Sequence, residues 1–290
     1  MSFCRPDLRW SGTRSVAGMN FRSRCCASWA CSSPTSCGGG NRMELFQLTA
    51  ADGKVVRGDR LPGVERTILF ITGFLSKRWG NKSKALAQWC EARGWGFCCF
   101  DFRGWGDADG TWGDYRLLQW LEDAEAVTEQ LAAGPSITIV GNSLGGWLAW
   151  LVAQEQPAVE ELILIAPAFN MMGVRAADIP AERRARWQAT GSMPWDDEPM
   201  HCEAPIPWTW VEDSEELWQR RLAPPRRVKT TILHGLQDSV IKPEGSWAFV
   251  QHVLSQDPQF PIELLLKTGD HRLSSPEHLG IFRRLVCREI

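Results

Sequence analysis

The chain has 290 residues, 44% of them apolar, enough to bury one sizeable core or at most two modest ones. A formal net charge of −2 leaves no broad basic surface and argues against nucleic acid as a partner. No run approaches the ~18 consecutive apolar residues that crossing a bilayer requires, so no transmembrane segment is expected.

The charge is unevenly spread. Residues 1–42 carry six arginines against the single acid Asp7, a local +5 that leaves −7 for the rest of the chain. The same stretch holds Cys4, Cys25, Cys26, Cys31 and Cys37, half of the ten cysteines, and ends in Gly38-Gly39-Gly40. It has no hydrophobic periodicity and reads as disordered. Two accounts compete for it: an Arg- and Ser-rich organelle leader (mitochondrial or plastid), or a start assigned too early, with Met43 as the first residue. A metal site is disfavoured, because the cysteine spacing contains no CxxC pair and no His accompanies it. The remaining cysteines (Cys90, Cys98, Cys99, Cys202, Cys287) show no paired spacing, which suggests reduced thiols and a cytoplasmic protein.

From Met43 onward, to residue 290, strands and helices alternate in one predicted domain. Glu44–Leu48 and Lys54–Asp59 flank Asp52-Gly53, a dipeptide suited to the positive φ values of a tight hairpin. Thr67–Thr72 is a short apolar run of the kind buried on both faces of a sheet. A helix is expected over Ser83–Arg93, ended by Gly94, then a strand over Phe97–Phe102, a Gly/Asp-rich loop and a helix over Leu118–Leu131. Ser136–Val140 is the next strand and Trp147–Gln154 an almost wholly apolar helix. Strands at Leu162–Ile165, Thr230–Leu233 and Ile262–Leu266 complete the pattern. Alternation of this kind predicts an α/β fold: a mostly parallel sheet covered by helices on both faces. Residues 168–225 break the rhythm, being rich in Trp and Pro without a strand signal, and read as a cap insertion of short helices.

The chemistry is carried by Gly141-Asn142-Ser143-Leu144-Gly145, a G-x-S-x-G pentapeptide set directly between an apolar strand and an apolar helix. A serine on so sharp a turn needs small neighbours where strand and helix close on each other, hence the two glycines. Its hydroxyl is a poor nucleophile until a base takes its proton. Five histidines allow elimination. His201 lies in the insertion, His252 inside the helix expected over 245–254, and His278 at the start of the last helix. His234 ends a strand beside Gly235 and reads as structural, which leaves His271, in the loop after the final strand, as the general base. Asp238, at the carboxyl end of strand 230–233, is the acid expected to orient it, in the order Ser143, Asp238, His271. Asp270 is a weak rival because it adjoins His271. Asp101 with Arg103 is expected to brace the loop below the site. Backbone N–H groups of Leu144 and Phe74 are the candidate oxyanion donors. No metal is called for.

The stretches Ile71–Ser76, Phe100–Gly104, Gly141–Leu148, His234–Asp238 and Gly269–Ser274 resemble the α/β-hydrolase superfamily. They are most similar to its abhydrolase-domain branch, that of mitochondrial acyl-protein (palmitoyl) thioesterases and acyl-glucuronide esterases and their bacterial relatives. The resemblance implies an α/β-hydrolase fold, cleavage of carboxylic ester or thioester bonds through an acyl-enzyme on Ser143, and no cofactor. The implied substrate is a small acyl ester or thioester, or an S-acylated protein. Asn142 departs from the pattern, standing where relatives often carry Ser. Trp195, Trp208 and Met171 of the cap are candidates to line an acyl pocket, although such residues equally serve core packing. Carbon–carbon bond hydrolysis and acyl transfer use the same triad and stay open as alternatives, with a non-catalytic binder less favoured. Asp-nucleophile chemistries are disfavoured by Ser143.

Overall fold

The computed structural model describes residues 42–195, 202–220 and 225–289, without the side chains of residues 195 and 202–204. The readings made for residues 1–41, including both accounts of the leader, and for His201 lie outside the described residues, as does the Trp195 side chain.

The sheet begins with a hairpin, β1 (Glu44–Thr49) and β2 (Val55–Leu61), paired antiparallel around Gly53, whose φ of 78° is the left-handed value expected at Asp52-Gly53. There follow β3 (Arg66–Ile71), α1 (Asn81–Arg93), β4 (Gly96–Asp101), α2 (Leu117–Leu131), β5 (Ser136–Asn142), α3 (Leu144–Glu155) and β6 (Val159–Ile165). Gly94 ends α1 at φ 67°, its N–H closing onto Cys90 and Glu91 carbonyls. After the insertion come β9 (Lys229–Gly235), α7 (Pro243–Gln256), β10 (Ile262–Lys267) and α8 (Pro276–Cys287). The strand order is β1-β2-β4-β3-β5-β6-β9-β10, with every pair from β4 to β10 parallel and the hairpin antiparallel at one edge.

Strand side chains alternate between two packed layers. Leu69, Ile71, Cys98, Phe100, Leu162 and Leu164 face α2, α3 and α7, whereas Ile68, Phe70, Phe97, Cys99, Ile163 and Ile165 face α1 and α8. This two-sided burial is why the strands read as continuous apolar runs. Helix α3 is buried along residues 144–153, and side chains such as Leu148 and Val152 each contribute about 1.5–3 kcal/mol by leaving water.

The insertion corrects the sequence reading in one respect. Besides α4 (Met171–Asp178), α5 (Ala181–Thr190) and α6 (Thr209–Gln219) it holds a two-stranded antiparallel ribbon, β7 (Ser192–Trp195) and β8 (Cys202–Pro207). Pro194, Pro205 and Pro207 masked it, because proline removes a ladder donor and is tolerated only where a strand has a free edge, as both strands of a ribbon do.

Candidate active site

Ser143 is the joint between β5 and α3. Its backbone sits at φ 53°, ψ −122°, a conformation costing about 1–3 kcal/mol for a residue with a Cβ. Surrounding hydrogen bonds hold it there: its N–H donates to Ile165 O (2.8 Å), and its carbonyl accepts from Gly146 N–H (2.9 Å) and Ala168 N–H (3.0 Å). The flanking glycines are steric necessities. A Cβ on Gly141 would lie 2.5 Å from Gly145 O, and one on Gly145 2.3 Å from both Ile71 O and Thr72 O.

Asp238 and His271 converge on this serine from the carboxyl ends of β9 and β10. His271 Nε2 lies 3.1 Å from Ser143 Oγ, and its Nδ1 lies 2.7 Å from Asp238 Oδ2. A ring nitrogen facing a carboxylate carries the proton, so Nε2 presents its lone pair to the hydroxyl. The three residues singled out in the sequence are thus brought together, and Ser143 and Asp238 are buried while the His271 ring is slightly exposed.

Asp238 is held from four directions. Its Oδ1 accepts the N–H groups of Val240 (2.9 Å) and Ile241 (2.8 Å), and its Oδ2 accepts from His271 and from His234 Nε2 (3.1 Å). Burial opposes the charge, but the bonds from the two imidazoles and from the backbone overcome it and hold the carboxyl well below the usual carboxylate range. His234 is fully buried, as its structural reading predicts, and has a role that reading did not include. Its Nε2 faces both Asp238 and Ile241 O (2.9 Å), so the proton sits there, and Ser246 Oγ donates to Nδ1 (2.8 Å). The i,i+4 spacing of His234 and Asp238 was the available signal.

The loop bearing His271 is braced on both sides. Asp270 Oδ1 accepts the N–H groups of Arg272 (3.1 Å) and Leu273 (3.0 Å), so the rival carboxylate is used in shaping the turn. From α1, the buried Lys82 ammonium donates to Arg272 O and to Ser274 Oγ (3.2 Å). Burial pulls the Lys82 pKa down to about 8, against the attraction of Asp270.

Gly73 brings the loop after β3 against the serine: a Cβ there would stand 3.0 Å from Ser143 Cβ and 3.1 Å from Asn142 O. Phe74 follows, its ring buried edge-on against Trp112 (5.5 Å) and Trp210 (5.6 Å), and Leu75 takes φ 56°. This anchors the backbone of 73–75 beside Ser143; of the two candidate oxyanion donors, Phe74 lies in that segment and Leu144 is the first residue of α3.

The expectation for Asp101 and Arg103 is corrected, since they belong to separate buried networks. Asp101 accepts the Arg78 N–H (2.7 Å) and pairs with the Arg78 guanidinium, which also binds Asp59 (2.6 Å) and Asp107 (2.8 Å). Arg103 pairs instead with Asp123 (2.6 Å) on α2. β4 ends at Asp101 and Arg103 lies in the turn that follows, so its side chain is not bound to the strand's alternation and reaches α2 instead. Of the cap candidates, Met171 is buried and Trp208 half-buried against Trp187 (5.3 Å). A cavity of ≈ 320 Å³ between α3, α6 and α7 is lined by other aromatic residues, Trp147, Trp150, Trp218 and Phe249 among them. Among the described residues no cluster of three His, Cys, Asp or Glu could hold a metal ion, and no helix is long and apolar enough to cross a membrane.

Comparison with known proteins agrees with this fold. The pattern of the Alpha/beta hydrolase family matches residues 68–284. Palmitoyl-protein thioesterase ABHD10, mitochondrial, of Mus musculus is 28% identical over 251 residues, covering 85% of this chain and 79% of that protein. Its Homo sapiens counterpart is 29% identical over 249 residues, covering 84% and 76% respectively. Among solved structures, alpha/beta hydrolase domain-containing protein 10 from mouse superposes with a TM-score of 0.74 at 25% identity, over 84% of this chain and 97% of that one. A putative hydrolase from Agrobacterium vitis shares the fold with a TM-score of 0.77 at 22% identity, over 86% and 99%. With most of its length matched by the family pattern and its strands in this order, the chain belongs to the alpha/beta hydrolase family.

Proposed function

We propose that this hydrolase cleaves carboxylic ester or thioester bonds through an acyl-enzyme on Ser143. The observation that carries the reading is the continuous relay from Ser143 Oγ to His271 Nε2 and from His271 Nδ1 to Asp238. In this reading Ser143 Oγ attacks the acyl carbonyl as its proton passes to His271 Nε2, and Asp238 stabilises the resulting imidazolium. The N–H groups of Leu144 and Phe74 receive the negative charge of the tetrahedral oxygen, each such donor contributing about 3–4 kcal/mol. Collapse expels the thiolate or alkoxide, which takes the proton from Nε2. Water, deprotonated by the same nitrogen, then attacks the acyl-serine and releases the carboxylic acid.

The names of the relatives favour an acyl thioester, including an S-acylated protein, as substrate. The same names favour the mitochondrial account of residues 1–42 over the cytoplasmic one, which N-terminal sequencing of the native protein checks. Residues 43–290 form the hydrolase domain in this reading, with 168–225 as its cap. The test is hydrolysis of acyl esters and acyl thioesters from about C2 to C16 by the wild-type chain and by Ser143→Ala. Activity that disappears in Ser143→Ala supports the proposal; activity that survives the substitution, or none in either protein, overturns it.

A further inference from the structure

β10 is the last strand of the sheet, hydrogen-bonded to β9 and to no other strand among the described residues. It is also the least covered of the parallel strands: Glu263, Leu266 and Lys267 are exposed, and Ile262, Leu264 and Leu265 are half-buried, whereas all but the first residue of β9 is buried. Among the described residues six large apolar side chains are exposed, and two belong to this margin: Leu266 (41%) and Leu236 (55%), whose N–H bonds to Lys267 O. An apolar, open edge strand is a template for pairing.

The hydrogen-bond parity of β10 states what can pair with it. Thr230 N–H donates to Pro261 O (2.8 Å) and Leu236 N–H to Lys267 O (2.7 Å), so odd-numbered residues turn their backbone groups toward β9. Even-numbered residues therefore turn theirs outward. Ile262 N–H is taken by Phe260 O (2.8 Å), and Thr268 O lies 2.7 Å from His278 Nε2. Leu264 and Leu266 are left as the outward pair.

An antiparallel partner strand must pair outward residues with outward residues. For a second copy of β10 this allows two-fold centres at Leu264, Leu265 or Leu266. A centre at Leu264 sets Glu263 against Leu265, and a centre at Leu266 sets Lys267 against Leu265. A centre at Leu265 pairs Leu264 with Leu266 of the other copy through four hydrogen bonds. It also sets Glu263 directly opposite Lys267 twice, in the closely spaced non-hydrogen-bonded positions where opposite charges attract most. We propose that the chain forms a two-fold symmetric homodimer through antiparallel pairing of β10 with β10 centred on Leu265, joining two eight-stranded sheets into one. The two-fold axis makes each contact occur twice, as a closed symmetric interface requires.

The test is sedimentation velocity of the full chain over a micromolar concentration series. A dimer is expected for the wild type. Glu263→Lys alone and Lys267→Glu alone each replace two attractive pairs by two like-charge pairs and should raise the dimer Kd at least about tenfold. The double variant Glu263→Lys/Lys267→Glu restores opposite charges and should recover the wild-type Kd. Both positions are exposed, and unchanged circular dichroism of each variant will show that the fold survives. A monomeric wild type overturns the proposal, and so does a dimer indifferent to the single substitutions or one that the double substitution fails to restore. The last two results would assign the margin to another face or occupant.

Discussion

Replacing Asp238 by Asn separates the two jobs of this carboxylate. The amide is nearly isosteric, and its oxygen can still accept the Val240 and Ile241 N–H groups that bind Oδ1. Its NH2 then stands where Oδ2 faces two imidazole nitrogens, His271 Nδ1 at 2.7 Å and His234 Nε2 at 3.1 Å. His234 keeps a partner in Ile241 O, but His271 is driven to the tautomer with the proton on Nε2, which cannot take one from Ser143. Comparable triads lose on the order of 10⁴ in kcat when the acid is made an amide, equivalent to about 5.5 kcal/mol. Here kcat on an acyl thioester should fall on the order of 10³–10⁴-fold with little change in KM, because no substrate contact is altered. Two charge-assisted hydrogen bonds, each contributing about 1.5–3 kcal/mol, are also weakened, so urea midpoints should fall. Since the folded carboxyl lies well below its unfolded value, this stability is complete above about pH 5 and is lost as pH falls toward the folded pKa. The stability gap between wild type and variant should therefore narrow only in acid. A kcat within tenfold of wild type would refute the assigned role of Asp238.

Two further outcomes test the scaffold. Gly145→Ala places a methyl 2.3 Å from the carbonyl oxygens of Ile71 and Thr72, backbone atoms that cannot swing aside, so soluble folded protein should be scarce or destabilised by roughly 3 kcal/mol or more. A normal melting curve for that variant would show that β3 and α3 are not in contact there. For Lys82 the folded pKa of about 8 lies below the unfolded value, so the unfolded chain binds more protons between the two and stability rises with pH across that interval. Urea titrations of wild type and Lys82→Met at pH 7.5 and pH 10 should differ in the wild type's favour by about 2–3 kcal/mol more at the higher pH. A difference independent of pH would contradict burial of the ammonium.

The local signals in the chain were strong because they depend on short-range sterics. Asp52-Gly53 specifies a hairpin through the φ values it tolerates, and Gly141 and Gly145 announce a turn that no larger residue fits. His271 and Asp238 were legible because each follows an apolar strand, and the ends of parallel strands meet along one margin of the sheet. The proline-bearing ribbon β7–β8 was not, since its prolines argue against a strand unless the free edge is known.

By itself, then, the order of residues determined the alternation of strands and helices, the elbow at Ser143 and the identity of its two partners, all properties of segments a few residues long. Only the tertiary structure decided which groups stabilise those segments from a distance. Arg78 rather than Arg103 serves Asp101, and Lys82 reaches a loop 190 residues away. The physical reason is that ion pairs and hydrogen bonds of this kind need proximity and a matched direction but no particular spacing along the chain. The packing of α1, α8 and the sheet supplies both.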